Sequence, residues 1–340
     1  MSLTRKLAIT AAVISTALLA LNTTPVQAEG GKELNIGSLA PKGTPWYEQL
    51  EKFEAAVEAK TDLNVIIRPP GIMGEVEMVR ETRKGERLQA AAVTTGALSE
   101  GGNIPVLQIV ELPFLFNDNA QADHILDDVL WTPMSKILSS RGFVLAMWSE
   151  NGWRSFGTKG DPILTPADVA KFKMRAQESD VHMAMYKALG GNAVQKPMTE
   201  VLTSLNSNVI DGLDNTALYI MAGGLAEPLD HFTLTRHIYQ PAAIVISKIW
   251  FDQQDAATQA VLLGARDLTI ESRNKIRSED AAMIDALKEM GVEVHELTPE
   301  QREAFAVQAR KMHDEFAASL DAKGSGTNLL KLIRKGLAEM

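Results

Sequence analysis

The stretch LTPADVAKFKMRAQ, residues 164–177, predicts a helix start followed directly by a strand. Thr165 stands at an N-cap position, Pro166 occupies the first helical position and Asp168 the third. In the second half of the stretch, apolar and polar side chains alternate, as on a strand with two different faces. The stretch therefore predicts a helix–strand unit that carries Arg175 near the carboxyl end of its strand.

Predicted strands and helices alternate on both sides of this unit. On the amino-terminal side their order, β-α-β-α-β, predicts a parallel sheet with helices on both faces. The predicted strands are 34–37, 64–68, 88–93, 209–212, 242–247 and 292–297. The predicted helices are 46–60, 75–84, 180–189, one capped by Thr199, a long pattern at 255–290, one starting at 298–301, and 329–340. No low-complexity linker separates the units, so we expect two lobes crossed by more than one strand, with a cleft between them.

The first 28 residues have the organisation of a secretory signal peptide. Arg5 and Lys6 form a positive start, and residues 7–21 form an apolar run that is short for a membrane span. The tripeptide VQA at 26–28 has the small-x-small pattern of a cleavage site. We place the cut after this tripeptide, with an uncleaved anchor as the alternative, and predict a periplasmic protein exported with a cleaved signal peptide.

Composition limits the class of protein. The chain of 340 residues has no cysteine, so it folds without disulfides, and its formal net charge is −9. Removal of the signal peptide removes two positive charges and no acidic ones, which changes the net charge to −11. An acidic chain without a basic stripe is a poor nucleic-acid binder. The remaining length of about 310 residues predicts two domains.

Motifs for catalysis, cofactors and metals are missing from the sequence. It contains no GxSxG, Walker or dinucleotide pattern and no thiol nucleophile. The six histidines show no zinc-binding spacing. We expect His182 to be a partly exposed structural residue, and His231 and His237 to flank a surface turn. The sequence therefore predicts no catalytic residue, no metal site and no cofactor, and we do not expect an enzyme.

Three polar residues stand where ligands bind in open parallel sheets, beyond the carboxyl ends of the strands. Arg175 lies near the end of its predicted strand, and Asn215 follows the strand-like stretch 209–213. Arg154 stands beside Trp153 at the junction of the two predicted units. A guanidinium donates two parallel hydrogen bonds to a carboxylate, and an asparagine amide can donate to the same group. These residues are therefore candidates for binding an organic acid.

Each candidate also has an ordinary structural interpretation. Arg175 could be a solvated side chain on a strand face, and Asn215 could be a turn residue. Arg154 could pair with an acid such as Glu150 or Asp161. The aromatic residues that could belong to the core are Trp46, Trp148, Trp153 and Phe114, and for Trp148 and Phe114 we predict this. The residues read singly do not decide between these interpretations.

Several motifs follow one another along nearly the whole mature chain. Besides 164–175 they are PGIMGE at 70–75, ELPFLF at 111–116, ALGGNA at 188–193, EVLTSL at 200–205 and VIDGLDN at 209–215. Together they resemble the substrate-binding subunits of TRAP transporters (tripartite ATP-independent periplasmic transporters) of the dicarboxylate-binding, DctP type. The sequence departs from this family at Asp214 and Thr216, where the family commonly has glutamate and proline.

This resemblance implies a two-lobed α/β fold of the periplasmic-binding-protein kind, similar to type II. Hinge strands would connect the lobes, and a long helix would run along both. We place lobe I at residues 29–151 plus 240–280. We place lobe II, with the C-terminal helices, at residues 152–239 plus 281–340.

The resemblance also implies roles for the candidate residues. Arg175 matches the family arginine that forms a salt bridge with the ligand carboxylate. Asn215 matches the asparagine that bonds the same carboxylate, and Arg154 matches an arginine that contacts the ligand in some members. The further residues that we expect to face the cleft are Trp46, Glu75, Thr94, Thr95 and Trp153.

The implied function is capture of a small organic acid in the periplasm and its delivery to the small and large membrane subunits of a TRAP transporter. Uptake would then be driven by an ion gradient. The alternative is the same fold binding a hydrophobic or lipid-like ligand for a sensor or trafficking partner. The sequence leaves open which acid is bound and whether the protein forms a homodimer.

Overall fold

A computed structural model describes residues 32–68 and 73–340, without the side chains of residues 323 and 324. The predicted signal peptide and residues 70–72 of the PGIMGE motif lie outside the described residues. Within these ranges, no helix combines the length and the apolar character needed to cross a bilayer.

The described residues form nine strands and a larger number of helices. The strands are β1 Glu33–Ser38, β2 Asn64–Arg68, β3 Ala90–Thr94, β4 Phe143–Thr158, β5 Lys173–Ala176, β6 Asn192–Gln195, β7 Gly212–Asn215, β8 His231–Ser247 and β9 Glu293–Glu296. The α-helices are α1 Pro45–Glu58, α2 Glu75–Lys84, α3 Thr95–Gly102, α4 Asn119–Asp123, α5 Trp131–Ser140, α6 Asp180–Ala188, α7 Val201–Asn206, α8 Ala217–Ala222, α9 Lys248–Phe251, α10 Ala256–Leu263, α11 Thr269–Glu289, α12 Pro299–Arg310, α13 His313–Ser319, α14 Asp321–Gly324 and α15 Gly326–Ala338. Short 3-10 helices span Pro105–Glu111, Pro166–Lys171, Met198–Glu200 and Gly264–Leu268, and a π-helical turn spans His124–Val129.

The strands join in one sheet with the order β2-β1-β3-β8-β4-β7-β5-β6, and β9 pairs with β8. The outer groups, β1–β3 and β5–β7, are each parallel, and for β1–β3 this is the arrangement that the sequence predicts. The two central strands, β4 and β8, are antiparallel to each other, β8 is antiparallel to β3, and β4 is antiparallel to β7. The sheet is therefore mixed, because the central pair returns the chain between two parallel halves.

Strands β4 and β8 connect the two halves of the sheet. They have 16 and 17 residues, and their pairing shifts register after Leu145, Glu150 and Arg154. Such bulges bend a strand and strengthen its twist. We call the part built on β1–β3 the first lobe and the part built on β5–β7 the second lobe. The two long strands run through both lobes and have the geometry of a hinge.

Each lobe buries two apolar clusters, one on each face of its half-sheet. In the first lobe, Phe53 of α1 belongs to one cluster and Leu107 to the other. In the second lobe, Phe305 of α12 belongs to one cluster and Leu213 to the other. Trp148 is fully buried and Phe114 is almost so, which confirms that both are core residues.

The C-terminal helices pack on the first lobe. Phe316 of α13 and Ile333 of α15 share an apolar cluster with Ile125 and Leu126, which precede α5. The sequence predicts that residues 281–340 belong to the second lobe, but these last helices pack on the first lobe. The lobe borders themselves stay a prediction.

The long helical pattern predicted at residues 255–290 is a succession of α10, one 3-10 turn and α11. Helix α11 lies against α1 in the first lobe, β4 in the hinge and α8 in the second lobe. Arg277 of α11 donates from Nε and Nη2 to the carboxylate of Glu150, at distances of 2.6–3.1 Å. The helix is therefore fixed to the middle of the hinge strand β4.

Candidate functional site

A pocket lies between the two lobes, where β3, β4 and β8 approach β5 and β7. Its empty volume, counting the open space at its mouth, is about 860 Å³. The first lobe and the hinge contribute Ser38, Leu39, Ala40, Trp46, Gln49, Leu50, Glu75, Val76, Ala92, Val93, Thr94, Ala97, Ser149, Glu150, Asn151, Arg154, Gln240, Ala242, Ala243 and Ile244. The second lobe contributes Arg175, Gln177, Glu178, Met198, Asn215 and Tyr219.

Arg175 lies in the pocket wall with one free donor group. It stands on β5, between β6 and β7, and is 2 % exposed. Its Nε and Nη2 both donate to the main-chain oxygen of Lys196, at 2.9 and 2.7 Å. Its Nη1 is buried and has no hydrogen-bond partner among the described residues. An unpaired buried donor is costly, so this atom favours an acceptor that enters the pocket.

Arg175 keeps its positive charge, although its surroundings lower its pKa. Burial lowers the pKa of its guanidinium to about 10, and repulsion by Arg154 acts in the same direction. The group therefore remains protonated at neutral pH. A buried cation of this kind is stabilised when an anion binds beside it.

Arg154 faces the same pocket but is already paired. Its Nε lies 2.6 Å from Oδ2 of Asp214, and its Nη2 donates to the main-chain oxygen of the same residue. Its Nη1 donates to Gln240 at 2.7 Å. Burial lowers the pKa of Arg154, but attraction to Asp214 outweighs burial and raises the pKa overall. The acid that pairs with Arg154 is therefore Asp214, and neither Glu150 nor Asp161 takes that place.

Asn215 ends β7 with its side chain in the pocket wall. Its Oδ1 accepts from the amide nitrogen of Thr216 at 2.9 Å, from Nδ2 of Asn151 at 3.1 Å and from Arg154 at 3.4 Å. With this oxygen occupied, the amide NH₂ is the part of the side chain that can donate to a ligand.

The first lobe contributes a half-buried carboxylate to the same pocket. Glu75 begins α2, and it accepts from the amide nitrogen of Thr94 at 2.8 Å and from its hydroxyl at 3.1 Å. Burial raises the pKa of Glu75, although the two hydrogen bonds from Thr94 oppose this. Gln177 of the second lobe donates to the Thr94 hydroxyl at 2.8 Å, which links the two lobes at the edge of the pocket.

Aromatic side chains also meet across the pocket. The rings of Trp46 in the first lobe and Tyr219 in the second have centroids 5.8 Å apart. The indole nitrogen of Trp46 donates to the main-chain oxygen of Glu150 at 2.9 Å, so it orients the ring. Burial raises the pKa of Tyr219 to about 12, so its hydroxyl stays protonated and can donate.

Six of the eight predicted site residues line the pocket, and Thr95 and Trp153 do not. Thr95 lies behind the pocket wall, where its hydroxyl contacts Glu111 and the main-chain oxygen of Pro241. Trp153 donates to Asn119 at 2.7 Å and packs edge-on against Tyr239 at 5.4 Å. Both side chains therefore make their contacts around the pocket and not in its lining.

Several pocket residues were not predicted from the sequence. Gln177 stands two residues after Arg175, on the same polar face of the alternating pattern. This pattern could have predicted Gln177 as a pocket residue. Tyr219 and Gln240 come from distant parts of the chain, and no local pattern marks either residue. The tertiary fold alone brings them to the pocket.

The buried histidines differ from our expectation. His182 is fully buried, with Nε2 2.7 Å from a carboxylate oxygen of Glu111. His237 is fully buried within β8, so no surface turn lies at this position. Its ring stacks on Phe156 with centroids 4.3 Å apart, and Nε2 lies 3.3 Å from Oδ2 of Asp214. Both histidines belong to a polar network beneath the pocket.

This network fixes the charge of Asp214. Burial tends to raise the pKa of its carboxyl, but Arg154 and the hydrogen bond with His237 outweigh burial and hold that pKa well below its usual range. Tyr186 donates to Oδ1 of the same carboxylate at 2.9 Å. The anion of Asp214 therefore neutralises Arg154 from within the protein.

Two α/β lobes joined by hinge strands, around a pocket that sets a few charged and polar side chains among apolar walls, define a solute-binding receptor. Residues 36–320 match the family described as bacterial extracellular solute-binding protein, family 7. Because this match covers most of the chain, the chain belongs to that family.

Known relatives extend over nearly the same length. The 2,3-diketo-L-gulonate-binding periplasmic protein YiaO of Escherichia coli K12 is 28% identical over 330 residues, which cover 96% of this chain and 97% of the relative. A TRAP periplasmic solute-binding protein of Polaromonas sp. JS666, solved with D-erythronate, is 27% identical with a TM-score of 0.81 over 89% of this chain and 98% of that one. The corresponding protein of Sulfitobacter sp. NAS-14.1, solved with β-D-galacturonate, is 25% identical with a TM-score of 0.82 over 89% of this chain and 100% of that one.

These comparisons confirm the resemblance to TRAP-type binding proteins and the two-lobed α/β fold. The chain is a periplasmic solute-binding protein of this type, and its family consists of receptors that work outside the cytoplasm. The alternative, a hydrophobic ligand for a sensor or trafficking partner, is not favoured by the relatives.

Proposed function

We propose that this protein captures a hydroxylated monocarboxylic acid, of the sugar-acid class, in the interlobe pocket and delivers it to TRAP membrane subunits. The observation that carries this proposal is the free, buried Nη1 of Arg175. A ligand carboxylate at this atom would form a charge-assisted hydrogen bond that contributes about 1.5–3 kcal/mol. The NH₂ group of Asn215 would bond the same carboxylate.

The balance of charge in the pocket favours one carboxylate over two. Arg154 is neutralised by Asp214, which leaves Arg175 as the guanidinium that is available to an anion in this part of the described structure. The opposite wall carries the carboxylate of Glu75, which would repel a second ligand carboxylate. Binding of a C4 dicarboxylate would therefore bury a second negative charge without a cation beside it, which is unfavourable.

The same groups favour hydroxyl substituents on the ligand. Glu75 can accept hydrogen bonds, and the amides of Gln49, Asn151 and Gln177 also line the pocket. D-Erythronate, β-D-galacturonate and 2,3-diketo-L-gulonate, which the relatives are named for or hold, each combine one carboxylate with several oxygen substituents. A purely hydrophobic ligand would leave Nη1 of Arg175 unpaired and is disfavoured for that reason.

Delivery would follow from closure of the lobes around the ligand. A ligand that contacts both Arg175 in the second lobe and Glu75 in the first binds the closed form better than the open form, so it shifts the population towards closure. We propose that the closed form docks on the small and large membrane subunits and that the ligand is released chemically unchanged. The protein would reach the periplasm after cleavage behind residue 28. The proposal does not depend on whether it forms a homodimer.

A thermal-shift screen followed by calorimetry tests the proposal. The screen would compare hydroxylated monocarboxylates, C4 dicarboxylates and fatty acids, since a ligand at 100-fold its dissociation constant stabilises by about 2.7 kcal/mol. Arg175→Met should then lose binding of the best ligand, while the matched variant Arg141→Met, at an exposed arginine after α5, should retain it. Unchanged affinity in Arg175→Met would refute the assignment of this arginine.

A further inference from the structure

Two histidines and a glutamate converge at the far end of the second lobe. His231 begins β8, and Glu293 and His295 stand on β9, which pairs with β8 in parallel. Nδ1 of His231 lies 2.9 Å from Nε2 of His295. Oε2 of Glu293 lies 3.7 Å from Nδ1 of His231, and Oε1 of Glu293 lies 3.8 Å from Nε2 of His295. One ligand atom from each of the three residues thus falls within 4.8 Å of the others.

We propose that His231, Glu293 and His295 bind a divalent transition-metal ion of the Zn²⁺ class. Zinc binds imidazole nitrogens at about 2.0–2.1 Å and carboxylate oxygens at about 2.0–2.2 Å, and it prefers tetrahedral geometry. The ligand atoms of such a site are therefore about 3.3–3.5 Å from one another. The two imidazole nitrogens, 2.9 Å apart, are within about half an ångström of this separation. The carboxylate of Glu293 would have to turn so that one of its oxygens faces both nitrogens. Only small side-chain adjustments separate the present arrangement from a ligand set.

The backbone already holds the three side chains on one side of the sheet. His231 is opposite Glu293 in the β8–β9 register, and His295 follows two residues later on the same face of β9. The two histidine side chains are each 16% exposed, whereas Glu293 is 68% exposed. Two ligands are therefore preorganised, and the third can turn towards the ion at little cost.

The protonation state of the pair also suits a metal. With 2.9 Å between the two ring nitrogens, one proton is shared and at least one imidazole is neutral. Neutral imidazole is the form that binds metals, so an ion can take the place of the shared proton.

A metal here would join the edge strand β9 to the hinge strand β8. Nine residues of β8 separate His231 from Gln240 in the ligand pocket, which corresponds to about 30 Å along the strand. We therefore expect the metal to stabilise the second lobe without contacting the bound acid. The two sites can be tested separately, and the metal site does not depend on the proposed function.

The test is calorimetric titration of untagged, chelator-treated protein with Zn²⁺, compared with His231→Gln, His295→Gln and Glu293→Gln. Loss of an outer partner of a metal ligand typically costs about 10–100-fold in affinity, so loss of either histidine should cost at least about tenfold. Glu293→Gln should also weaken binding. The control His124→Gln, at a partly exposed histidine elsewhere, should bind Zn²⁺ as the wild type does.

Titration with Co²⁺ gives a second readout, because tetrahedral coordination by nitrogen and oxygen produces a characteristic visible spectrum. Unchanged thermal unfolding of the metal-free variants will show that they are folded. One ion per wild-type chain, lost in both histidine variants, is the expected result. Absence of micromolar Zn²⁺ binding by the wild type, or equal binding by His295→Gln, would overturn the proposal.

Discussion

Arg154 and Arg175 line the same pocket, but only Arg154 is paired with a carboxylate in the described structure. Nε of Arg154 lies 2.6 Å from Oδ2 of Asp214, whereas Arg175 bonds only the main-chain oxygen of Lys196. Two arginines in one site thus have different roles. Arg154 maintains the structure of the hinge, and Arg175 remains available to a ligand.

This difference predicts opposite effects of two matched substitutions. Arg154→Met leaves Asp214 buried without its cation, so the free energy of unfolding should fall by about 3–5 kcal/mol. Arg175→Met removes a buried charge and two bonds to one carbonyl, so stability should change by no more than about 1 kcal/mol. Urea unfolding of both variants measures this. If Arg175→Met were the less stable of the two, the roles would be reversed.

Glu75 predicts how the protein distinguishes hydroxylated acids. Glu75→Gln removes a charged acceptor, and such a hydrogen bond contributes about 1.5–3 kcal/mol, or roughly 10–150-fold in affinity. Calorimetry with an acid and its analogue without hydroxyls should show this loss for the hydroxylated acid alone. The exposed Glu77, on the same helix, supplies the control Glu77→Gln. An equal loss for both acids would show that Glu75 does not contact the hydroxyl groups.

The raised pKa of Glu75 also predicts a pH effect without ligand. The folded state binds a proton at Glu75 more tightly than the unfolded state does. As pH rises from about 4.5 through the raised folded pKa, the wild type should therefore lose stability relative to Glu75→Gln. Unfolding curves of both proteins at several pH values measure the difference. A constant difference across this range would contradict the prediction.

The pair of Arg277 and Glu150 joins the long helix to the hinge and predicts a large effect on stability. Glu150 is 1% exposed, so Arg277→Met leaves a buried carboxylate without its arginine and should cost about 3–5 kcal/mol. Glu150→Gln in the Arg277→Met background should recover part of this loss, which a double-mutant cycle will measure. Lys275→Met, at an exposed lysine on the same helix, should change stability by less than about 0.5 kcal/mol. Additive effects of the two substitutions would show that the pair is not coupled.

The sequence predicts the outer elements of the fold better than the hinge. The strand at 64–68 and the helix at 75–84 have the predicted bounds, because both follow clear patterns of buried and exposed residues. Strand β8 was predicted only at 242–247, and the structure extends it back to His231. Its earlier part contains His237 and Gln240, which are fully buried but polar. A hydrophobicity pattern cannot identify a strand whose buried side chains are paired with other polar groups.

The same reasoning explains the results for the candidate sites. Arg175 and Asn215 stand at strand ends, where their positions follow from the local sequence, and both line the pocket. Thr95 is the neighbour of Thr94, and Trp153 is the neighbour of Arg154. Because adjacent side chains point in different directions, Thr95 and Trp153 contact residues outside the pocket lining. His231 and His295 are 64 residues apart, and no motif spacing relates them. Only the pairing of β8 with β9 brings these two imidazoles together.

His313 predicts how stability depends on pH in the weakly acidic range. Its Nε2 donates to the main-chain oxygen of Pro113 at 2.7 Å, and this bond attaches α13 to the first lobe. Burial lowers the pKa of His313 from 6.5 to about 4, although the bond to Pro113 opposes this. Between these values the unfolded chain binds a proton that the folded chain excludes, so stability falls as pH falls. The full effect between pH 6.5 and pH 4 is about 3 kcal/mol.

The variant His313→Gln separates this effect from the titration of carboxylates. Glutamine can donate to the Pro113 oxygen but does not titrate, so the variant should lose less stability than the wild type as the pH falls from about 6.5 to about 4. The difference in unfolding free energy should change by up to about 1.4 kcal/mol per pH unit. If the unfolding free energies of His313→Gln and the wild type changed equally with pH, His313 would become protonated as readily in the folded protein as in the unfolded chain. The prediction from its lowered pKa would then be wrong.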